Sequence, residues 1–360
     1  HPAPKAGALP DCAIPRWIRL IIHVVTKSCA MRSFCDTGFH RCRETLTGLR
    51  FICLPVTLVH IKSGSTFATL DFQEAPMSAR ILDGEAIAQS IKNKIASRTL
   101  ERSVDGHRPP GLAIVLVGND PSSHVYVRLK KKDCEVVGFH TEIRLLGESV
   151  SEKEVVSYIQ DFNSDETIDG ILVQLPLPPQ IDPLTVIKTI SPKKDVDGIH
   201  PYNLGMLTLR EPAIRSCTSK GIMSLLDQTD VPIRGLDATV VGASNHVGRP
   251  TTLELLRAGC TVTSCHRFSR DTKSHVASAD IVISATGVAG LIKGDWIKPG
   301  AIVIDVGIER QPDGSLRGDV EFDSVVKVAG WLTPVPGGVG PMTRVSILEN
   351  LMEAAETTAP

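Results

Sequence analysis

The chain has no apolar run approaching the roughly 18 residues that a membrane span needs. That absence removes the helical membrane-spanning class. Neither charge is in excess: 39 Lys+Arg stand against 40 Asp+Glu, net −1, so no global basic field exists to gather nucleic acid or an anionic membrane surface. Aromatic residues are scarce at 4%, and no basic stripe interleaved with them accompanies the run Lys130-Lys131-Lys132. Nucleic-acid binding through that run is therefore not expected. Cys35, His40 and Cys42 fit no zinc spacing, and no metal is expected. What remains is 42% hydrophobic and 22% charged over 360 residues, the balance of a soluble globular chain of about two domains.

The neutral total hides a split. Residues 1–76 hold nine Lys/Arg and five Asp/Glu, net +4, whereas the following 284 hold 30 and 35, net −5. Five of the nine cysteines also fall in this leader, and Met77 opens the first stretch that reads as regular structure. The leader has no hydrophobic period, so it reads first as a non-folding extension or misplaced gene start. A mitochondrial or plastid transit segment is the second reading, which its scattered arginines suit and its lack of serine enrichment does not.

From Met77 onward strands and helices alternate. Ile87, Ile91 and Ile95 mark one face of a helix that Gly106, Pro109 and Pro110 stop. Leu112 to Val117 is wholly apolar, the pattern of a strand buried on both faces of a parallel sheet. A helix from about Ser122 to Val137 and a strand near Thr141 to Leu146 follow. Ser151 to Glu154 is a capping box, Gly170 to Leu175 a strand, and Asp182 with Pro183 a helix start. A second set begins at Asp237, with strands at 238–241, 261–264, 281–284 and 301–304 and a helix from Pro250 to Ala258. Such alternation predicts a doubly wound α/β sheet, twice over. Ligands in these sheets collect beyond the carboxyl ends of the strands.

Three places there carry chemistry. Gly242-Ala243-Ser244 through Gly248 lies between a strand and a helix, where the first glycine permits close approach of a pyrophosphate, the last lets helix and strand pack, and the helix start offers free amides. Ser244 replaces the middle glycine of the usual dinucleotide fingerprint, so an ordinary strand-to-helix turn stays open. At the next strand end stand His266-Arg267, with Arg270 nearby, where an NAD site places a carboxylate. Arginine pairs with a 2′-phosphate and favours NADP, unless the loop is merely basic and solvated. Tyr126 and Lys130, four apart, share a helix face. A partly desolvated lysine can serve as a base, although a run of three lysines is by default a solvated face.

The other candidates are polar groups at turns and strand ends. Gln174 ends an apolar strand just before Leu175-Pro176-Leu177-Pro178, and a buried amide must find partners. Asp195-Val196-Asp197-Gly198 sets two carboxylates in a turn, either of which can be an Asx turn. Thr333 to Thr343 is a Pro/Gly-rich loop before a last helix, a hinge or a ligand-contacting wall.

Taken together, Tyr126 to Lys132, Asp169 to Pro178, Lys194 to Gly198, Gly242-Ala243-Ser244 and Thr333 to Thr343 closely resemble the bifunctional methylenetetrahydrofolate dehydrogenase/methenyltetrahydrofolate cyclohydrolase family, from Met77 to about Ala355. The resemblance implies an N-terminal α/β catalytic domain, an NADP-binding Rossmann domain with a doubly wound parallel sheet, and a C-terminal helix returning to the first domain. The expected boundaries are a leader over 1–76, a folate-binding catalytic domain over 77–220 and 341–360, and the Rossmann domain over 221–340. It further implies NADP as cofactor, tetrahydrofolate one-carbon derivatives as substrates and a homodimer. The compartment expected is the cytoplasm, or an organelle if the leader is a transit segment.

Carried over, the resemblance makes Lys130 the catalytic lysine, Gln174 the amide that orients it and Asp197 a hydrogen-bond partner of the pterin edge. Tyr126 would stack on the aminobenzoyl ring, with Val173 and Leu175 beside the substrate and Pro336, Gly337, Gly338, Val339 and Gly340 closing over it. Gly242, Ala243, Ser244, Arg267 and Ile308 would face NADP. The chain departs from the family pattern at Asp133, Ser216, Ser219 and Arg344, none of them a catalytic position, so these bear on local stability or loop stiffness more than on activity. A monofunctional dehydrogenase is the competing enzyme reading, which the joint presence of Lys130, Gln174 and Asp197 disfavours. A non-catalytic folate or dinucleotide sensor would be expected to lack Lys130.

Overall fold

The computed structural model describes residues 78–357, so the readings made for residues 1–76 lie outside the described part. In chain order the elements are β1 (Arg80–Ile81), α1 (Gly84–Val104), β2 (Gly111–Val117), α2 (Pro121–Val137), β3 (His140–Leu146), α3 (Glu152–Ser164), β4 (Gly170–Val173), α4 (Pro183–Thr189), α5 (Pro201–Thr208) and α6 (Cys217–Leu226). There follow β5 (Asp237–Val241), α7 (Gly248–Arg257), β6 (Thr261–Cys265), α8 (Thr272–Ser278), β7 (Ile281–Ser284), β8 (Ile302–Asp305), the short pair β9 (Glu309–Arg310) and β10 (Leu316–Arg317), α9 (Phe322–Val325), β11 (Trp331–Leu332) and α10 (Val339–Thr357).

The local signals explain most of these. Asp120 accepts the Ser123 amide at 2.7 Å and starts α2, and Gly138, at φ +80°, ends it. Ser151 Oγ accepts the Glu154 amide, and Asp182 accepts the amides of Leu184 and Thr185 with Pro183 in the first turn. β4 is shorter than its apolar run predicts, stopping at Val173. The Gln174 amide still bonds Val115 O at 2.9 Å, but Pro176 has no amide with which to extend the ladder.

Two parallel sheets result. The first has order β3-β2-β4, and the second β1-β11-β8-β7-β5-β6. In each, successive crossovers leave opposite edges of one strand, β2 and β5 respectively, which opens a crevice at the carboxyl ends beside that strand. One pairing was not anticipated: Arg80 and Ile81, read with the first domain, pair with Trp331 and Leu332 at the edge of the second sheet. Two residues with no period of their own give no local sign of such a partner.

The last helix packs on α6, α1 and α2 and touches β2 and β4, burying Val345, Leu348, Leu351 and Met352. It thus returns to the first sheet. Asn350 fixes the strand-end segment that carries Asp197, its Nδ2 donating to Val196 O at 2.9 Å and to Arg215 O at 2.8 Å. The Arg215 carbonyl, left without such a donor, would cost about 1–3 kcal/mol.

Candidate active site

The crevice of the first sheet opens toward the second and forms a cleft of about 320 Å³. Lys130 reaches it from α2 and Gln174 from the end of β4, and Lys130 Nζ donates to Gln174 Oε1 at 3.0 Å. Gln174 is oriented in turn, because its Nε2 donates to Leu175 O at 2.7 Å, leaving Oε1 toward the lysine. Burial pushes the Lys130 pKa below the ordinary lysine range, and the Asp197 carboxylate, on the same cleft, opposes that shift. Of the three lysines in the run, Lys131 and Lys132 are exposed and form the solvated face, whereas Lys130 is half-buried.

Two thiols near the lysine contribute no charge. Burial raises Cys134 to about 12 and Cys217 well above its usual range, and Cys217 Sγ donates to Val196 O at 2.9 Å. Neither is available as a thiolate nucleophile near neutral pH. The chemistry of the cleft is therefore that of one desolvated amine, one carboxylate and one oriented amide.

Tyr126, Val173, Leu175, Val339, Gly340 and Ile308 line the same cleft. An adjoining recess of about 210 Å³ runs from Tyr126 and Ile308 beneath Pro336, Gly337 and Gly338. The Gly337 carbonyl accepts the Glu85 amide at 3.2 Å, which ties this loop to the start of α1. The Leu175–Pro176 and Val335–Pro336 bonds are cis.

Of the dinucleotide candidates, Ile308 lines both recesses, whereas Gly242, Ala243, Ser244 and Arg267 lie at the carboxyl ends of β5 and β6, outside them. Gly242 has φ +114°, and a Cβ there would run into the Ala285 carbonyl beyond β7; one on Gly248 would run into the Gly242 carbonyl. Only glycine allows the backbone to pass this closely. The turn differs from expectation in one respect: Ser244 Oγ accepts the amides of Val247 and Gly248 at 3.2 and 3.4 Å, so these two are not free. Ala243 is half-buried beside them. Arg267 is exposed at the end of β6 with its guanidinium over the Phe268 ring, 4.6 Å from the centroid.

Several cleft residues escaped the sequence reading. Ile199, Thr218 and Val306 line it without belonging to any legible pattern, and His246 and Val247 reach it from the glycine turn. Ser216 lines it too, and with Ser219 it fastens the glycine turn: Ser216 Oγ donates to His246 O at 3.1 Å, and Ser219 Oγ to Val247 O at 3.4 Å. A further pair, Asp305 and Asp319, braces the strand ends next to Ile308. Asp305 accepts the amides of Gly307, Asp319 and Val320, and Asp319 accepts the Ser284 hydroxyl and the amides of Thr286 and Val288. Burial raises Asp305 to about 6 against the pull of those amides. Clustered carboxylates bonded to backbone amides are the missed signal here.

Comparison with known proteins identifies the family. Residues 82–197 match the tetrahydrofolate dehydrogenase/cyclohydrolase catalytic domain, and residues 216–359 match the NAD(P)-binding domain of the same family. Among solved structures, the bifunctional FolD dehydrogenase/cyclohydrolase of Campylobacter jejuni is 40% identical with a TM-score of 0.77, covering 78% of this chain and 100% of its own. The Trypanosoma brucei enzyme, solved with NADP cofactor and inhibitor, is 38% identical with a TM-score of 0.75, covering 78% of this chain and 98% of its own. The Thermoplasma acidophilum bifunctional enzyme is 32% identical with a TM-score of 0.72 and covers 77% and 98% respectively. The chain belongs to the tetrahydrofolate dehydrogenase/cyclohydrolase family.

Proposed function

We propose that this protein oxidises 5,10-methylenetetrahydrofolate to 5,10-methenyltetrahydrofolate with NADP and then hydrolyses the product to 10-formyltetrahydrofolate. The carrying observation is the desolvated Lys130, bonded to Gln174 and facing Asp197 in a cleft between the two sheets. The residues present suit the cofactor. Gly242 keeps the crevice beside β5 clear of side chains, and Arg267 offers a planar cation where a 2′-phosphate would lie. NADP, when bound, accepts the hydride.

The rest falls to the protein's own groups. Asp197 accepts a hydrogen bond from the pterin edge, Tyr126 stacks on the aminobenzoyl ring, and the loop at Pro336 to Gly340 covers the folate. Oxidation leaves a delocalised cation on the substrate. Burial lowers the Lys130 pKa and so favours its neutral form, which does not repel that cation as an ammonium would. In the hydrolysis, water adds its oxygen to the methenyl carbon and passes a proton to Lys130 Nζ. The carbon–N5 bond then breaks as Lys130 returns that proton to N5, while the adduct's hydroxyl loses its own proton to solvent and becomes the formyl C=O. Gln174 holds the amine in line for both transfers, a positioning role.

The reading also includes the domain limits given above, a homodimer, no nucleic-acid partner, and a cytoplasmic placement with an organelle as the alternative. No described helix is long and apolar enough to cross a membrane. The test follows NADPH formation together with the rise and decay of the methenyl absorbance, with NADP and NAD in parallel. NADP preference and decay of the chromophore are expected. A chromophore that accumulates undiminished would make the enzyme a monofunctional dehydrogenase, and no reduction of either nucleotide would overturn the reading.

A further inference from the structure

Two of the departures from the family pattern, Asp133 and Arg344, lie far apart in sequence and meet in the structure. Arg344 Nη1 stands 3.0 Å from Asp133 Oδ2, and the other carboxylate oxygen takes Lys92 Nζ at 3.2 Å. All three side chains are at least 85% buried; Glu85, more exposed, lies 4.0 Å from Arg344 Nη2. Each member comes from a different helix: Lys92 from α1, Asp133 from α2 and Arg344 from α10. Asp133 lies one helical turn beyond Lys130, and Arg344 lies one turn beyond Gly340, where the covering loop ends. Arg344 also lines both the catalytic cleft and the adjoining recess.

The juxtaposition has a mechanical consequence. A planar guanidinium on a buried carboxylate tolerates little displacement, since either charge left alone would be stranded in a poorly solvated place. The helix bearing Tyr126 and Lys130 is thereby held at a fixed distance from the helix that follows the covering loop. Residues of both helices line the cleft, so that distance bounds it on one side. We propose that Asp133 and Arg344 form a positioning pair that sets this distance and so governs folate binding and the placement of Lys130, leaving the cofactor half of the site untouched. The proposal rests on the cleft being the folate site.

Arg344→Met tests it without stranding a charge, because Asp133 keeps Lys92 as its partner. The expected result is a KM for 5,10-methylenetetrahydrofolate raised about tenfold, with the KM for NADP unchanged and the melting temperature within a few degrees of the parent. Arg344→Lys, which can still reach one carboxylate oxygen, recovers most of the loss. Asp133→Asn combined with Arg344→Met is expected to be no worse in folate KM than the more affected single variant, as for two members of one device. Parallel rises in both KM values with a falling melting temperature would overturn the proposal in favour of a general structural role. So would additive effects, an unchanged folate KM, or a penalty that grows with the number of glutamates on the substrate, which would make Arg344 a ligand of the tail. An inactive parent enzyme, by contrast, would sink the functional reading itself.

Discussion

Lys130→Met replaces the amine with an apolar chain of similar length and separates the two half-reactions. In hydrolysis it removes a positioned proton carrier, for which the expected loss in kcat is about 10²–10⁴-fold, or about 3–5 kcal/mol of barrier. Hydride transfer asks chiefly for alignment of substrate and nicotinamide, so it should fall by about tenfold or less. Stability is expected to stay within a few degrees of the parent, because one hydrogen bond of about 1 kcal/mol at 3.0 Å to Gln174 is lost while a desolvated amine is relieved of its burial. The pH dependence supplies a second signature. Burial lowers the Lys130 pKa, so the neutral amine appears at lower pH than in a free lysine and parental hydrolysis should rise along a limb below the ordinary lysine range. The variant should lack that limb. Decay of purified methenyltetrahydrofolate, followed from pH 6 to 9 beside NADPH formation from the methylene substrate, measures both. Full hydrolysis by the variant, or an equal loss of both half-reactions, would refute the assignment.

Arg267→Ala should raise the KM for NADP about 10- to 100-fold, the worth of a charge-assisted contact, and leave the KM for NAD unchanged. An equal rise for both nucleotides would place the arginine away from the 2′-phosphate. Asp195→Asn should stabilise the fold at pH 8: burial raises this carboxyl to about 6, its Oδ1 has no donor, and holding it ionised costs the folded state on the order of 3 kcal/mol. The folded group binds its proton more tightly than the unfolded one, so its contribution to stability is whole below about pH 4 and lost as the pH rises through about 6. The gain in melting temperature should therefore shrink between pH 6 and 4, and a gain independent of pH would contradict the cause.

Short-range physics made much of this chain legible. Wholly apolar strands, the caps at Ser151 and Asp182, and the strand-turn-helix at Gly242 each depend on residues a few positions apart, and all appear in the structure. The four-residue spacing of Tyr126 and Lys130 also put both on one cleft, as a helix must if that face is toward it. The capping role of Ser244 was not legible, because the same hydroxyl can face a ligand or its own backbone, and only the closed turn shows which.

The sequence thus settled the alternation of strand and helix and the glycine turn, since periodicity and local hydrogen bonding suffice for these. Whether Lys130 is a solvated charge or a desolvated amine was decided by folding, which brought Gln174, Asp197 and the buried Cys217 around it from separate elements. The same holds for β1 at the edge of the second sheet, for Asp305 and Asp319 bracing its strand ends, and for Arg344 closing on Asp133. Burial and charge pairing are properties of the packed chain. No local window contains the residues that create them.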